Sequence, residues 1–108
     1  MKTEYIDIEN TGEFLWLDFM EPLGLSQNAL ARAIGVPQNR ISNIINGRRG
    51  ITVDTDLRLC RYFKMSDGFF IAVQNDLERL KAKRKIGNQL MKIIPYANDN
   101  KTLGLREA

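Results

Sequence analysis

Five hydrogen-bonding side chains, Gln38, Asn39, Arg40, Ser42 and Asn43, fall within six consecutive positions, and Arg48 and Arg49 follow after an Asn46-Gly47 break. These residue types offer recognition rather than bond making. An amide side chain presents a donor and an acceptor in one plane and can pair bidentately with adenine, while a guanidinium can read guanine or hold a phosphate. Catalysis has little to work with. The chain has no histidine, so the usual general base and transition-metal ligand are both missing. Asp54 and Asp56 are two apart, on different faces of any helix, and cannot work as an acid–base pair. The single cysteine, Cys60, cannot make an internal disulfide and falls on an apolar helical face as a small buried hydrophobe. Neither an enzyme nor a cofactor nor a metal is expected.

Holding those polar groups outward requires helices with one buried side. Ile41, Ile44 and Ile45 recur at i, i+3 and i+4, which predicts a helix whose outer side carries Gln38, Asn39, Ser42 and Asn43. Pro37 suits its first turn, where a missing N–H has no partner to lose, and Asn46-Gly47 suits its end. Ser26 is the expected cap of a preceding helix with Ala29, Leu30, Ala33 and Ile34 on its apolar side, and Gly35 supplies the break between the two. Two short helices joined at a glycine form a helix-turn-helix, in which Ala31 must be small and Val36 and Ile41 fill the angle. Thr11 is the expected cap of a first helix bearing Phe14, Leu17 and Met20, ended by Pro22 and Gly24. Thr52 should cap a fourth, with Val53, Leu57, Cys60 and Phe63 as its apolar residues, and Ser66 a fifth running to about Lys85. No strand alternation persists, so the chain is expected to be all-α. Residues 1–10 are expected to form an arm, 11–85 the domain, and 86–108 a tail that is partly disordered.

Charge is unevenly spread under a net +3. Residues 1–25 carry Lys2 against Glu4, Asp7, Glu9, Glu13, Asp18 and Glu21, a net −5, whereas residues 79–92 carry six basic residues and no acid. Such asymmetry suits a polyanion on one side and a basic partner on the other. No apolar run approaches the ~20 residues needed to span a bilayer, and the start, MKTEYIDIEN, is too acidic for a signal peptide. A cytoplasmic protein working at the nucleoid, with no membrane partner, is expected.

The segment from Gln27 to Arg48, with its Asn46-Gly47-Arg48 ending, resembles the helix-turn-helix of Cro/C1-type phage repressors. A wider series of motifs, GEFL from Gly12, EPLGLSQ from Glu21, NGRRGITVDTDLRL from Asn46 and RYF from Arg61, resembles the HigA-type antitoxins of the XRE family over roughly residues 11–80. The resemblance implies a five-helix Cro/C1 repressor-like helix-turn-helix domain with an extended C-terminal helix. It also implies a homodimer on an inverted-repeat, double-stranded DNA operator in its own promoter, and a HigB-type ribonuclease toxin as partner. Gln27 matches the family's phosphate-gripping glutamine. The aromatic pair that opens the fifth helix in the family as Phe-Trp is here Phe69-Phe70, a mild departure.

A recognition helix enters the major groove through its N-terminal residues. Gln38, Asn39 and Asn43, with Ser42, are therefore the candidates for base edges, and Arg40 is open to guanine or to a phosphate. Asn46, Arg48 and Arg49 lie where the chain passes the sugar-phosphate backbone. Phe70, Val73, Leu77 and Leu80 follow a/d spacing, open to core packing and to a dimer interface, with the later turns at the interface. Trp16 and the acidic arm are candidates for the toxin contact, on resemblance and charge alone. The run Lys81 to Lys85 is open to DNA, to a membrane surface or to solvation of a helix end, and lacks the aromatic face of an interfacial helix. A repressor with no toxin, and a helical interaction domain without DNA binding, stand as the other readings.

Overall fold

The computed structural model describes residues 8–97. Five α-helices follow in order, α1 (Thr11–Leu15), α2 (Gln27–Ile34), α3 (Gln38–Ile45), α4 (Val53–Phe63) and α5 (Phe69–Met91), and no strand occurs among the described residues. Their apolar faces meet in one core that includes Phe14, Leu15, Met20, Leu30, Ile41, Ile44, Leu59 and Phe70, all essentially inaccessible. Phe14, Phe19, Phe63, Phe69 and Phe70 pack edge-on or tilted, with ring centroids 5.0–6.4 Å apart. These are separations at which aromatic quadrupoles attract. The Phe69-Phe70 opening of α5 is thus the hub that ties α1 and α4 to the long helix.

The helix starts follow capping chemistry, with two corrections. Ser26 and Thr52 cap α2 and α4 as expected, accepting from Ala29 N at 3.0 Å and Thr55 N at 3.4 Å. At α1 the cap is Asn10, not Thr11: Asn10 Oδ1 accepts from Glu13 N at 3.0 Å, and Thr11 turns into the core. Asparagine is the stronger cap, which leaves threonine free to be buried. At α5 the expected cap Ser66 contributes only its backbone carbonyl, to Phe69 N. Gly68 occupies the cap position with φ 91°, and the orphan N–H groups are satisfied from another helix, as described below.

Other expectations shift at the ends of elements and on one face. The expected first helix is α-helical only to Leu15, widens to a π turn over Trp16–Met20 and tightens to a 3₁₀ turn over Glu21–Leu23, where Gly24 stops it at φ 63°. α5 continues past Lys85 to Met91, with a break in helical geometry at Ile86 (φ −115°, ψ 16°). On α4 the buried residues are Thr55, Asp56, Leu59 and Cys60, while Val53 and Leu57 lie on the outside. None of the described helices is long and apolar enough to cross a membrane.

Candidate nucleic-acid interface

The turn between α2 and α3 is set by Gly35, whose φ of 74° is the left-handed conformation that a Cβ disfavours. Val36 N then donates back to Ala31 O at 3.0 Å, and Ala31 is buried beneath the crossing. α3 starts directly after Pro37, which sits at the cap position in extended geometry, and buries Ile41 and Ile44. Its other side is left to solvent. Gln38 and Asn39 are exposed, and Ser42 and Asn43 are half-buried on the same short helix.

Gln27 and Gln38 hold each other: Gln38 Nε2 donates to Gln27 Oε1 at 3.3 Å. The first residue of α2 therefore braces the first residue of α3. At the opposite end of α3, Arg48 N and Arg49 N both donate to Asn43 O, at 2.8 and 3.2 Å, and Gly47 takes φ 77° to make that return possible. Asn46, Arg48 and Arg49 are exposed. The loop is anchored once more where Ile51 meets Gln74 of α5. Gln74 Oε1 accepts from Ile51 N at 2.7 Å and Nε2 donates to Ile51 O at 3.0 Å. Two flexible arginines thus spring from a backbone fixed on both sides.

Arg40 differs from its neighbours. Its Nη1 donates to Asp54 Oδ2 at 2.9 Å and to Thr55 Oγ1 at 3.4 Å, so its guanidinium is drawn onto α4 rather than projecting with Gln38 and Asn39. Asp54 also accepts from Arg58 Nε at 3.1 Å, and Arg58 Nη1 caps the end of α2 by donating to Ile34 O at 2.8 Å and Gly35 O at 3.3 Å. A cation on the last carbonyls of a helix also complements its dipole. Arg40, Asp54 and Arg58 therefore clamp the turn from α4. The hydrogen bond from Arg40, ahead of the contribution of Arg58, holds the Asp54 carboxyl below its ordinary value of 3.8, against some opposing desolvation. A depressed carboxylate stabilises the fold above its unfolded value and loses that contribution as pH falls through the folded one. A carbon-detected NMR titration of the side-chain carboxyl should accordingly put the Asp54 midpoint below 3.8; a midpoint at or above it would mean that the clamp is open in solution.

Three positioning residues, Asp54, Arg58 and Gln74, are absent from the sequence-based expectations. Asp54 and Arg58 are an i,i+4 pair that helical spacing alone could have suggested. Gln74 gave no signal, being a polar residue inside an apolar stripe. Of the expected dimer residues, Phe70, Val73 and Leu77 are buried in the chain's own core, and only Leu80, 49% exposed, remains available to a partner. Leu90, Met91, Ile93, Ile94 and Tyr96 are exposed as well.

This arrangement, a braced polar helix flanked by two arginines, can be compared with known proteins. The helix-turn-helix family model matches residues 18–70. Virulence-associated protein I of Dichelobacter nodosus is 37% identical over 94 residues, covering 87% of this chain and 86% of the relative. A solved HigA-family addiction-module antidote protein of Coxiella burnetii is 33% identical, with a TM-score of 0.73, over 82% of this chain and 97% of that one. The chain belongs to the HigA family of helix-turn-helix antitoxins. Pseudomonas aeruginosa antitoxin HigA, solved with the higBA promoter, is similar at 32% identity and a TM-score of 0.73, again over 82% of this chain and 97% of that one. The HigA fold is thus shared along most of the chain, α5 included.

Proposed function

We propose that this chain is an antitoxin that binds an inverted-repeat operator as a homodimer, represses its own toxin–antitoxin operon and neutralises a HigB-type ribonuclease toxin. The observation that carries the DNA half is the polar face of α3, braced at one end by the Gln27–Gln38 bond and bounded at the other by the anchored Arg48-Arg49 loop. Gln38, Asn39 and Asn43, with Ser42, meet base edges; Gln27, Asn46, Arg48 and Arg49 meet phosphates. Arg40, held by Asp54, works chiefly by fixing the turn. The HigA–promoter complex of P. aeruginosa supports this reading. A dimer reading two half-sites about 34 Å apart needs a second apolar surface, and the exposed apolar side chains Leu80, Leu90, Met91, Ile93, Ile94 and Tyr96 are suited to it. The toxin half is supported by family membership and by the acidic first segment around Trp16, where Glu9, Glu13, Asp18 and Glu21 meet no basic residue between 9 and 21.

The test is selection of bound duplexes from a random pool at about 150 mM salt, followed by titration of variants on the enriched site. An inverted repeat is expected. Asn39→Ala should weaken that site by ~1–3 kcal/mol and relax base preference at one position, whereas Arg48→Ala should weaken all sequences about equally and flatten the salt dependence. Undiminished binding by Asn39→Ala would remove α3 from the groove. Absence of any enriched sequence, with no co-purifying basic protein, would leave a helical interaction domain.

A further inference from the structure

The sequence leaves the run from Lys81 to Lys85 open between DNA, a membrane surface and a solvated helix end, and the fold gives two of its members a position. α5 faces the loop after α3 along one stripe. Gln74 clamps Ile51, and Glu78 and Lys81 line, together with Arg48, Arg49 and Gly50, a single cavity of about 240 Å³. Positions 74, 78, 81 and 85 are spaced four, three and four apart, which keeps them on one helical face. Lys85 thus continues the stripe that Lys81 begins beside the arginine loop. Beyond Leu77 no residue of α5 is buried, so this half of the helix runs free of the core with Lys81 and Lys85 exposed. The ion pairs found among the described residues are Arg40–Asp54, Arg58–Asp54 and Arg79–Asp76, and neither lysine takes part in them. Lys83 stands nine residues after Gln74, about 180° round the helix at ~100° per residue.

We propose that Lys81 and Lys85 bind phosphates of the same DNA duplex, next to those met by Arg48 and Arg49, so that the C-terminal helix lengthens the footprint beyond the half-site read by α3. The stripe starts at the rim already shared with the phosphate-binding loop, and no acid follows Glu78 within residues 79–92. Glu78, on the same face, and Glu9, which lines the same cavity, oppose the backbone charge and moderate the contact. This proposal rests on the DNA-binding reading, but it concerns affinity for any sequence rather than base choice.

The experiment is a salt series, followed by fluorescence anisotropy, of the full chain on its selected operator and on an unrelated duplex of equal length. The variants are the Lys81→Gln/Lys85→Gln double, Lys83→Gln, and Glu78→Gln. Each phosphate contact adds ~0.9 to the slope of log affinity against log salt. The double variant should therefore lose, per bound chain, about 2 in slope and roughly 10–30-fold in affinity near 0.15 M, equally on both duplexes. Glu78→Gln should bind both duplexes more tightly, and Lys83→Gln should match the parent within about twofold. Equal slopes for parent and double variant would overturn the proposal while leaving DNA binding intact. So would a loss in Lys83→Gln of about half that of the double variant or more, because net charge rather than position would then be acting. A parent chain without salt-dependent affinity for either duplex would overturn the DNA-binding reading itself and this proposal with it. All four positions are on the exposed part of α5, and unchanged far-ultraviolet dichroism confirms that the variants fold.

Discussion

Gly12→Ala is expected to unfold or strongly destabilise the protein although it adds a single methyl group. Gly12 lies in α1 where that helix crosses α3, and a Cβ built on it collides with the carbonyl oxygen of Ile44, 2.6 Å from the Ile44 carbonyl carbon and 2.8 Å from Ile45 Cα. All three are backbone atoms near the end of α3, so no side chain can swing aside. α1 and α3 must separate, and the seat of Phe14, Leu15, Ile41 and Ile44 opens with them. Overpacking of a core commonly costs ~1–3 kcal/mol, and a backbone-on-backbone clash belongs at or above the top of that range. At ~4–8 °C per kcal/mol for a domain of this size, the melting temperature should fall by roughly 12 °C or more.

Gly87→Ala is the matching control. Gly87 is also helical, and a Cβ there meets nothing within 4 Å. Alanine in a helix interior is favoured over glycine by ~0.5–1 kcal/mol, so this variant should hold or slightly raise the melting temperature. Thermal denaturation followed by circular dichroism separates the two. If Gly12→Ala melted like the parent, the close approach of α1 to α3 would be wrong, and with it the position of the Arg48-Arg49 loop that follows α3.

The difference between these glycines shows which parts of the fold were legible from residue order. The helix-turn-helix was, because its determinants are local: the Ser26 cap, the positive φ of Gly35, the i, i+3, i+4 isoleucines and the Asn46-Gly47 end lie within about twenty consecutive residues. So was the polar side of α3: with Ile41 and Ile44 buried, Gln38 and Asn39 stand exposed and Ser42 and Asn43 half-buried. The buried side of α4 differs from the one its spacing predicts, for a physical reason. Val53, Leu57, Cys60 and Phe63 look like a face in sequence, yet the helix turns Thr55 and Asp56 inward and leaves Val53 and Leu57 outside. A polar residue buried to serve a distant helix breaks the rule by which a face is read. The same contact explains why α5 needs no Ser66 cap, and the Gln74 clamp on Ile51, 23 residues away, is equally absent from the local pattern. Nothing nearby in sequence shows, either, that Asp54 holds Arg40.

Asp56→Ala should be the second severe variant. Asp56 is 1% exposed, and its carboxylate collects the N–H groups that the start of α5 leaves without intrahelical partners. Oδ2 accepts from Gly68 N at 2.7 Å, and Oδ1 accepts from Phe70 N at 2.9 Å and Ile71 N at 3.1 Å. Cys60 Sγ approaches the same oxygen at 3.6 Å. A carboxylate at a helix N-terminus also meets the positive end of its dipole. In effect α4 caps α5 through space. Alanine would leave three donors unpaired, two of them on residues packed in or against the aromatic cluster, at ~1–3 kcal/mol each and less than additively. A loss of about 3–5 kcal/mol is expected by urea denaturation. Asp56→Asn keeps one acceptor but turns an NH₂ toward a backbone N–H, and should fall between alanine and the parent. Hydrogen exchange of the asparagine variant should show protection lost first at Gly68, Phe70 and Ile71. From there the effect reaches the interface. α5 carries Gln74, Gln74 holds Ile51, and Ile51 ends the loop that presents Arg48 and Arg49, so a loosened α5 start should weaken DNA binding on every sequence without changing base preference. If Asp56→Ala stayed within 1 kcal/mol of the parent, α5 would be held by its aromatic packing alone and the through-space cap would carry little of the fold.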